Sequence, residues 1–264
     1  MIVSVSLCFL SVASADEPLP SDRTGTSQGY YSRGSLNGGI PVADEGPDHI
    51  LVFPARCYVN NPRYPDPDRA DNYYGHPRVV ETLLEVARSV RQQHRDAPRL
   101  PIAELSNRRG GRIPNHLSHQ NGLDVDIDYL SAPLPGRGLT DGPRRCQHGP
   151  SYEERDPQTG EWAVPSTFVA RWNWALAAEL AAQPSVRVIF VGTLVRKRLE
   201  EWARTHGISR RERRRTMRKL HPVFCRPPAG RQIDRYRGNF CPHDDHFHVR
   251  FRCPADSRSC RTRR

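Results

Sequence analysis

His119-Gln-Asn-Gly-Leu-Asp-Val-Asp-Ile-Asp-Tyr129, answered roughly 120 residues later by His246-Phe-His248-Val-Arg-Phe251, decides how this chain is read. Glycine at 122 permits a tight turn after the first histidine. Residues 123–129 then alternate apolar and acidic side chains at the period of a half-buried strand, so Asp124, Asp126 and Asp128 share one face. In the second segment His246, His248 and Arg250 alternate with Phe247, Val249 and Phe251, and both histidines project from the same side of another strand. Two such strands side by side bring His119, Asp126 and His248 to one Zn²⁺ as two neutral imidazoles and a carboxylate, with the fourth tetrahedral position open to water. An open position marks a catalytic zinc rather than a structural one. A lone HxH is more often a packed or surface pair; the third histidine and the carboxylate at its offset change that reading.

Working outward, Pro77 opens a helix whose apolar residues Val79, Val80, Leu83, Leu84, Ala87 and Val90 recur at helical spacing until the polar RQQHRDAP at 91–98 ends it. A second helix is expected after a Ser166 cap, with Phe168, Trp172, Ala175, Leu176 and Leu180 along one side; Trp172 and Trp174 read as core rather than as substrate-stacking residues. Residues 186–191 read as a buried strand, followed by helices over 194–206 and 209–220. Residues 16–50 are rich in Gly, Ser, Pro and Asp without periodicity and read as an extended N-terminal arm or irregular wrap ahead of a catalytic domain over 51–264. Helices and strands do not alternate regularly, so the expected class is α+β: a small antiparallel sheet carrying the zinc site, flanked by helices and disulfide-tied loops.

Residues 1–15 form an apolar segment ending Ala13-Ser14-Ala15, the small-residue signature of a cleaved signal peptide, with Asp16 beginning the mature chain. No other stretch is apolar for long enough to span a membrane, so an exported protein without a transmembrane segment is expected. Removal of that segment leaves Cys57, Cys146, Cys225, Cys241, Cys253 and Cys260, an even number suited to disulfides in an exported chain; no CxxC points to a metal role for them. The formal charge of +11 is untouched, because residues 1–15 carry no charged side chain. Basic residues gather between Arg196 and Lys219 and at Arg258, Arg261, Arg263 and Arg264, a positive field suited to an anionic envelope polymer. The run RRERRRTMRK at 210–219 has no nucleic-acid recognition motif; it reads as a solvated helix face with Met217 and Leu220 turned inward, and no nucleic-acid partner is expected.

The run HLSHQNGLDVDI at 116–127, together with HDDHFHVRFRCPADS at 243–257, resembles the penicillin-insensitive murein endopeptidases, zinc peptidases of the fold group shared with lysostaphin-type and D-Ala-D-Ala carboxypeptidase-type enzymes. DNYYGHP at 71–77, Gly110-Gly111-Arg112 and VRVIFV at 186–191 are similar too, and the resemblance runs from roughly residue 30 to 260. It implies that His119, Asp126 and His248 ligate one catalytic Zn²⁺ and that His246 is the catalytic histidine. His116 and His243 match two further histidines of the site, His116 touching a metal or orienting a neighbour. SYEERDPQTGEW at 151–162 does not match an additional acidic and histidine pair of the family, so one metal is expected. His76 reads as a capping or packing residue ahead of a catalytic one. Arg109 and Arg112 flank the glycine pair, where Arg112 could clasp a substrate carboxylate. Asp244 and Asp245 shape the entry of their loop or orient His243 or His246. A local Cys253–Cys260 bridge is also implied, while the pairing of Cys57, Cys146, Cys225 and Cys241 stays open, Cys225 with Cys241 and Cys57 with Cys146 being one of three possibilities. The implied activity is hydrolysis of the D-alanyl–meso-diaminopimelyl cross-link of peptidoglycan in the periplasm, without an acyl-enzyme. No HExxH supplies a glutamate base, so proton transfer falls to His246. The alternatives are a zinc D,D-carboxypeptidase or other peptidoglycan amide hydrolase, and a non-catalytic zinc-containing wall-binding module.

Overall fold

Residues Asp124–Asp128 and His246–Phe251 form neighbouring antiparallel strands, in a register that sets His248 opposite Asp126 and Arg250 opposite Asp124. The structure, a computed structural model, describes residues 24–54, 71–113, 116–132, 152, 154–155, 162–223 and 243–262. In chain order the elements are β1 (Thr26–Tyr30), β2 (Arg33–Asn37), β3 (Ile40–Pro41), β4 (His49–Leu51), β5 (Tyr74–Gly75), α1 (Pro77–Gln93), β6 (Leu100–Ile102), β7 (Asp124–Asp128), β8 (Glu154–Arg155), β9 (Trp162–Ala163), α2 (Ala170–Ala182), β10 (Val186–Gly192), α3 (Thr193–Thr205), α4 (Arg210–Lys219), β11 (Leu220–Val223) and β12 (His246–Phe251).

The class is α+β, but the sheet is neither small nor purely antiparallel. Six strands run in the order β11-β10-β12-β7-β6-β4; the four central strands pair antiparallel, while β10 with β11 and β6 with β4 are parallel. A parallel pair needs a long crossover, which helices usually supply. Here α3 and α4 carry the chain from β10 to β11, and α1 lies between β4 and β6.

The period of two decides which face of the central strands meets the helices. Val125 and Ile127 of β7, and Phe247, Val249 and Phe251 of β12, join one hydrophobic core with Leu83 and Val90 of α1 and Leu176 and Leu180 of α2. We expect Phe247→Ala to cost about 3–5 kcal/mol, as truncations of fully buried aromatics do, and to lower Tm by roughly 10 °C in a domain of this size. A thermal melt shifted by less than about 2 °C would place Phe247 outside the core.

Capping and burial set the helices. Pro77 stands at the start of α1, and His76 is its cap: Nδ1 accepts from Arg78 N (3.3 Å), and Nε2 is 2.9 Å from the Gly25 carbonyl. Both ring nitrogens are thus spent on the scaffold. α2 begins at Ala170 rather than after Ser166, with no side-chain cap at Val169. Its entry is pinned instead by buried Asn173, whose amide donates to the Leu130 carbonyl (2.7 Å) and accepts from Leu130 N (2.9 Å). Trp172 and Trp174 are core residues, and Trp174 Nε1 donates to Glu212 of α4. Ser209 caps α4 by accepting from Glu212 N, and its arginines at 210, 211, 214, 215 and 218 are exposed while Leu220 is buried and Met217 packs against the core.

Of the expected N-terminal arm, residues 24–50 are described and hold a hairpin, β1 with β2. It is sewn to the chain's far end: Gly29 N donates to the Ser259 carbonyl (3.0 Å), Arg261 N to the Gly29 carbonyl (2.8 Å) and Ser27 N to Ser257 Oγ (2.9 Å). The Cys253–Cys260 disulfide closes that C-terminal loop. Residues 1–15 and Cys57, Cys146, Cys225 and Cys241 lie outside the described residues. No helix among the described residues is long and apolar enough to cross a membrane.

Candidate metal centre

The acidic face of β7, expected to be half-buried, is covered completely: Asp124, Asp126 and Asp128 are all buried. The hairpin and the loop before β7 roof it. Leu36 N donates to the Arg109 carbonyl (3.0 Å), Gly111 N to the Gly34 carbonyl (3.2 Å) and Gln120 N to the Tyr31 carbonyl (2.9 Å). The approach at Gly110 admits no side chain, since a Cβ there would lie 2.4 Å from the Gln120 carbonyl oxygen, and its φ is +71°. Gly122 makes the expected turn at φ +72°.

His119 itself sits at φ +66°, a left-handed conformation uncommon for a residue with a side chain and concentrated at functional sites. That backbone turns the ring inward. Nδ1 is 2.7 Å from the Leu105 carbonyl, which can accept only if Nδ1 carries the proton, so the Nε2 lone pair is left free. Nε2 then lies 3.2 Å from Asp126 Oδ2 and 3.2 Å from His248 Nδ1, and His248 Nδ1 lies 3.0 Å from Asp126 Oδ1. Ligands at the zinc–nitrogen and zinc–oxygen bond lengths of about 2.0–2.1 Å stand about 3.3 Å apart in a tetrahedron, close to these three separations. Both carboxylate oxygens of Asp126 are buried without a hydrogen-bond partner. A buried, ionised carboxylate ringed by imidazole nitrogens and without a hydrogen-bond partner is costly unless a cation completes it. The donor set therefore fits a zinc ion.

Three further rings border this triangle. His246 Nε2 is 3.5 Å from Asp126 Oδ1, and its Nδ1 is 2.5 Å from Asp245 Oδ1, so Asp245 orients His246. The Asp244 carbonyl accepts from Tyr152 N (2.8 Å). His116 faces Asp126 Oδ2 and Glu104 Oε1, each at 3.7 Å, with its ring edge-on to His119. His243, also at φ +66°, stacks on Phe190 and meets His246 and His248 edge-on. Grouped by reach, His116, His119 and Asp126 form one set of possible ligands and His243, His246 and His248 another, joined where Asp126 meets His248. Arg112 is exposed, and no contact among the described residues ties it to the cluster.

Charge is distributed unevenly over these groups. Burial alone would raise the Asp126 carboxyl, but His119, His246 and His248 outweigh it and hold the group well below the usual carboxylate range. Asp124 is lowered in the same way, burial being overcome by His248 and Arg250. Burial would lower His248, yet Asp124 and Asp126 push it up to about 9. His119 is lowered chiefly by burial, and His243 falls to about 3 through burial and the neighbouring His246 and His248. His116 is raised, Glu104 and Asp126 overcoming its burial.

Glu104 is the site residue that pattern reading passed over. It is 4 % exposed, and its carbonyl accepts from Asp126 N (2.8 Å). A single acid inside the apolar run LPIAEL at 100–105 was the available signal.

A buried aspartate ringed by imidazoles on a sheet is the donor set of metal-dependent hydrolases. A family model described as penicillin-insensitive murein endopeptidase matches residues 27–227, and the chain belongs to that family. The match ends before His246 and His248, so those two residues enter the site on their geometry. Relatives bearing the name penicillin-insensitive murein endopeptidase include a Haemophilus influenzae protein, 28% identical over 254 residues, spanning 92% of this chain and 69% of its own. Proteins of Salmonella paratyphi B and Salmonella newport are each 31% identical over 192 residues, 71% of this chain and 57% of theirs.

Proposed function

We propose that the protein is a zinc-dependent murein D,D-endopeptidase that hydrolyses the D-alanyl–meso-diaminopimelyl cross-link of peptidoglycan in the periplasm, after export directed by residues 1–15. The observation that carries the reading is the buried Asp126 carboxylate, its oxygens lacking hydrogen-bond partners and lying 3.0–3.2 Å from His248 Nδ1 and His119 Nε2. The names of its relatives supply the polymer.

In this proposal His119, Asp126 and His248 hold one Zn²⁺ at the central strands of the sheet. The ion would supply Lewis acidity toward the scissile carbonyl and activation of the attacking water. His246 takes the water proton at Nε2 and returns it to the leaving amine, and Asp245 keeps the ring in place through Nδ1. His116, braced by Glu104, lines the same cleft as an outer group or a weaker ligand. His243, wedged on Phe190, supports the turn into β12. No side chain is acylated, so β-lactams have no nucleophile to trap.

The test is digestion of purified sacculi, with the released muropeptides identified by mass. Cross-linked dimers are expected to become monomers, the activity to vanish on chelation and return with Zn²⁺, and penicillin to have no effect. Release of terminal D-alanine without loss of cross-links would make the enzyme a carboxypeptidase. Stoichiometric zinc with no hydrolysis would make it a wall-binding module.

A further inference from the structure

Arg250 is placed where neither substrate recognition nor bulk solvation accounts for it. It stands directly across the ladder from Asp124, one step of the polar face beyond the His248–Asp126 pair. Its Nε donates to Asp124 Oδ1 (2.8 Å) and its Nη2 to Asp124 Oδ2 (3.0 Å), a two-pronged contact that fixes the carboxylate plane. The guanidinium lies over the Tyr31 ring at 4.2 Å, with Phe190 at 5.3 Å. Tyr31 is anchored in turn, its hydroxyl donating to the Phe251 carbonyl at 2.6 Å. Arg250 therefore has little freedom to swing toward a substrate.

Asp124, so held, touches two of the three proposed ligands. Its Oδ2 accepts from the backbone N of His119 (3.2 Å), the residue at φ +66°, and its Oδ1 lies 3.5 Å from His248 Nε2. A carboxylate on that side favours the tautomer with hydrogen on Nε2, which leaves the Nδ1 lone pair facing Asp126 and His119. The backbone contact meanwhile steadies the strained turn that aims the His119 ring. Buried ion pairs contribute little net stability compared with apolar residues of the same volume, so stability alone gives weak reason for this one.

We infer that Arg250 and Asp124 form a positioning pair that presets His119 and His248 for the metal, with Tyr31 and Phe190 fixing the arginine. The inference rests on the metal-centre reading above. Zinc affinity reports it directly.

The experiment compares wild type, Arg250→Lys, Asp124→Asn and the double variant as full chains. Zinc dissociation constants come from competition with a chromophoric chelator, geometry from the visible spectrum of the Co²⁺-loaded proteins, and fold integrity from urea unfolding of the metal-free forms. Lysine keeps the charge but loses the two-pronged contact, so Arg250→Lys is expected to weaken zinc binding by about 10–100-fold, the loss usual for outer partners of metal ligands, with an altered Co²⁺ spectrum and a nearly unchanged unfolding midpoint. Asp124→Asn is expected to do the same, and the double variant to bind no more weakly than Asp124→Asn alone. Should Asp124→Asn fail to fold, Arg250→Lys carries the test. Zinc affinities within about twofold of a zinc-binding wild type would overturn the positioning role alone. A wild type that takes up no zinc would bring down the metal centre and the inference together.

Discussion

Asp126→Asn is expected to strip the protein of zinc and to lower cross-link hydrolysis by about 10³-fold or more, beyond the 10–100-fold carried by outer partners of a metal site. The carboxylate is 1 % exposed, and its two oxygens have no hydrogen-bond donor, only imidazoles at 3.0–3.7 Å. An amide keeps the side-chain volume, so packing of Val125 and Ile127 on the other face of β7 is preserved. What disappears is the one negative charge that all four rings face. Without it the His119 and His248 nitrogens have no anion to share a divalent ion with. Metal analysis of the purified variant beside muropeptide release decides the matter: a variant that retains one zinc per chain and normal hydrolysis removes Asp126 from the ligand set.

His246→Ala is expected to leave zinc content unchanged and to reduce hydrolysis by about 10²–10⁴-fold, the contribution typical of a positioned general acid–base group. The distinction from His119 and His248 is geometric. His246 Nε2 stands 3.5 Å from Asp126 Oδ1, outside the 3.0–3.2 Å triangle, and its side chain retains 14 % exposure at the cleft. Asp245 is its orienting partner at Nδ1, so Asp245→Asn is expected to give a smaller loss of the same kind. Loss of zinc together with activity in His246→Ala would reassign the residue as a ligand, and full activity would remove it from proton transfer.

Much of the layout of the centre is legible in the sequence, for a simple reason. Alternation in LDVDIDY and HFHVRF places Asp124 and Asp126, and His246 and His248, on one face each, because a strand turns successive side chains to opposite sides whatever it pairs with. Gly122 announced the turn that precedes β7, and the helical spacing after Pro77 announced α1. Ser166 misled because the start of α2 is secured by Asn173 reaching Leu130, a contact 43 residues apart that no local capping pattern encodes. The hairpin from Thr26 to Asn37 was hidden for a related reason. Its glycine- and serine-rich strands show no apolar alternation, since they are held by backbone hydrogen bonds to Arg109 and Ser259 rather than by a hydrophobic face.

The amino-acid order by itself determined which acidic and histidine side chains share a face of β7 and of β12, and that helices flank the sheet. These are local properties, set by a backbone repeat of two or 3.6 residues. Only the tertiary structure decided that β12 lies beside β7 in a register joining His248 to Asp126, that the outer strand pairs are parallel, and that the hairpin roofs the acids and brings Tyr31 over Arg250. Strand order and register follow from contacts between segments distant in sequence, 31 positions for Ile189 with Leu220 and 122 for His248 with Asp126, where the free energy resides in shared burial and paired charge rather than in either segment alone.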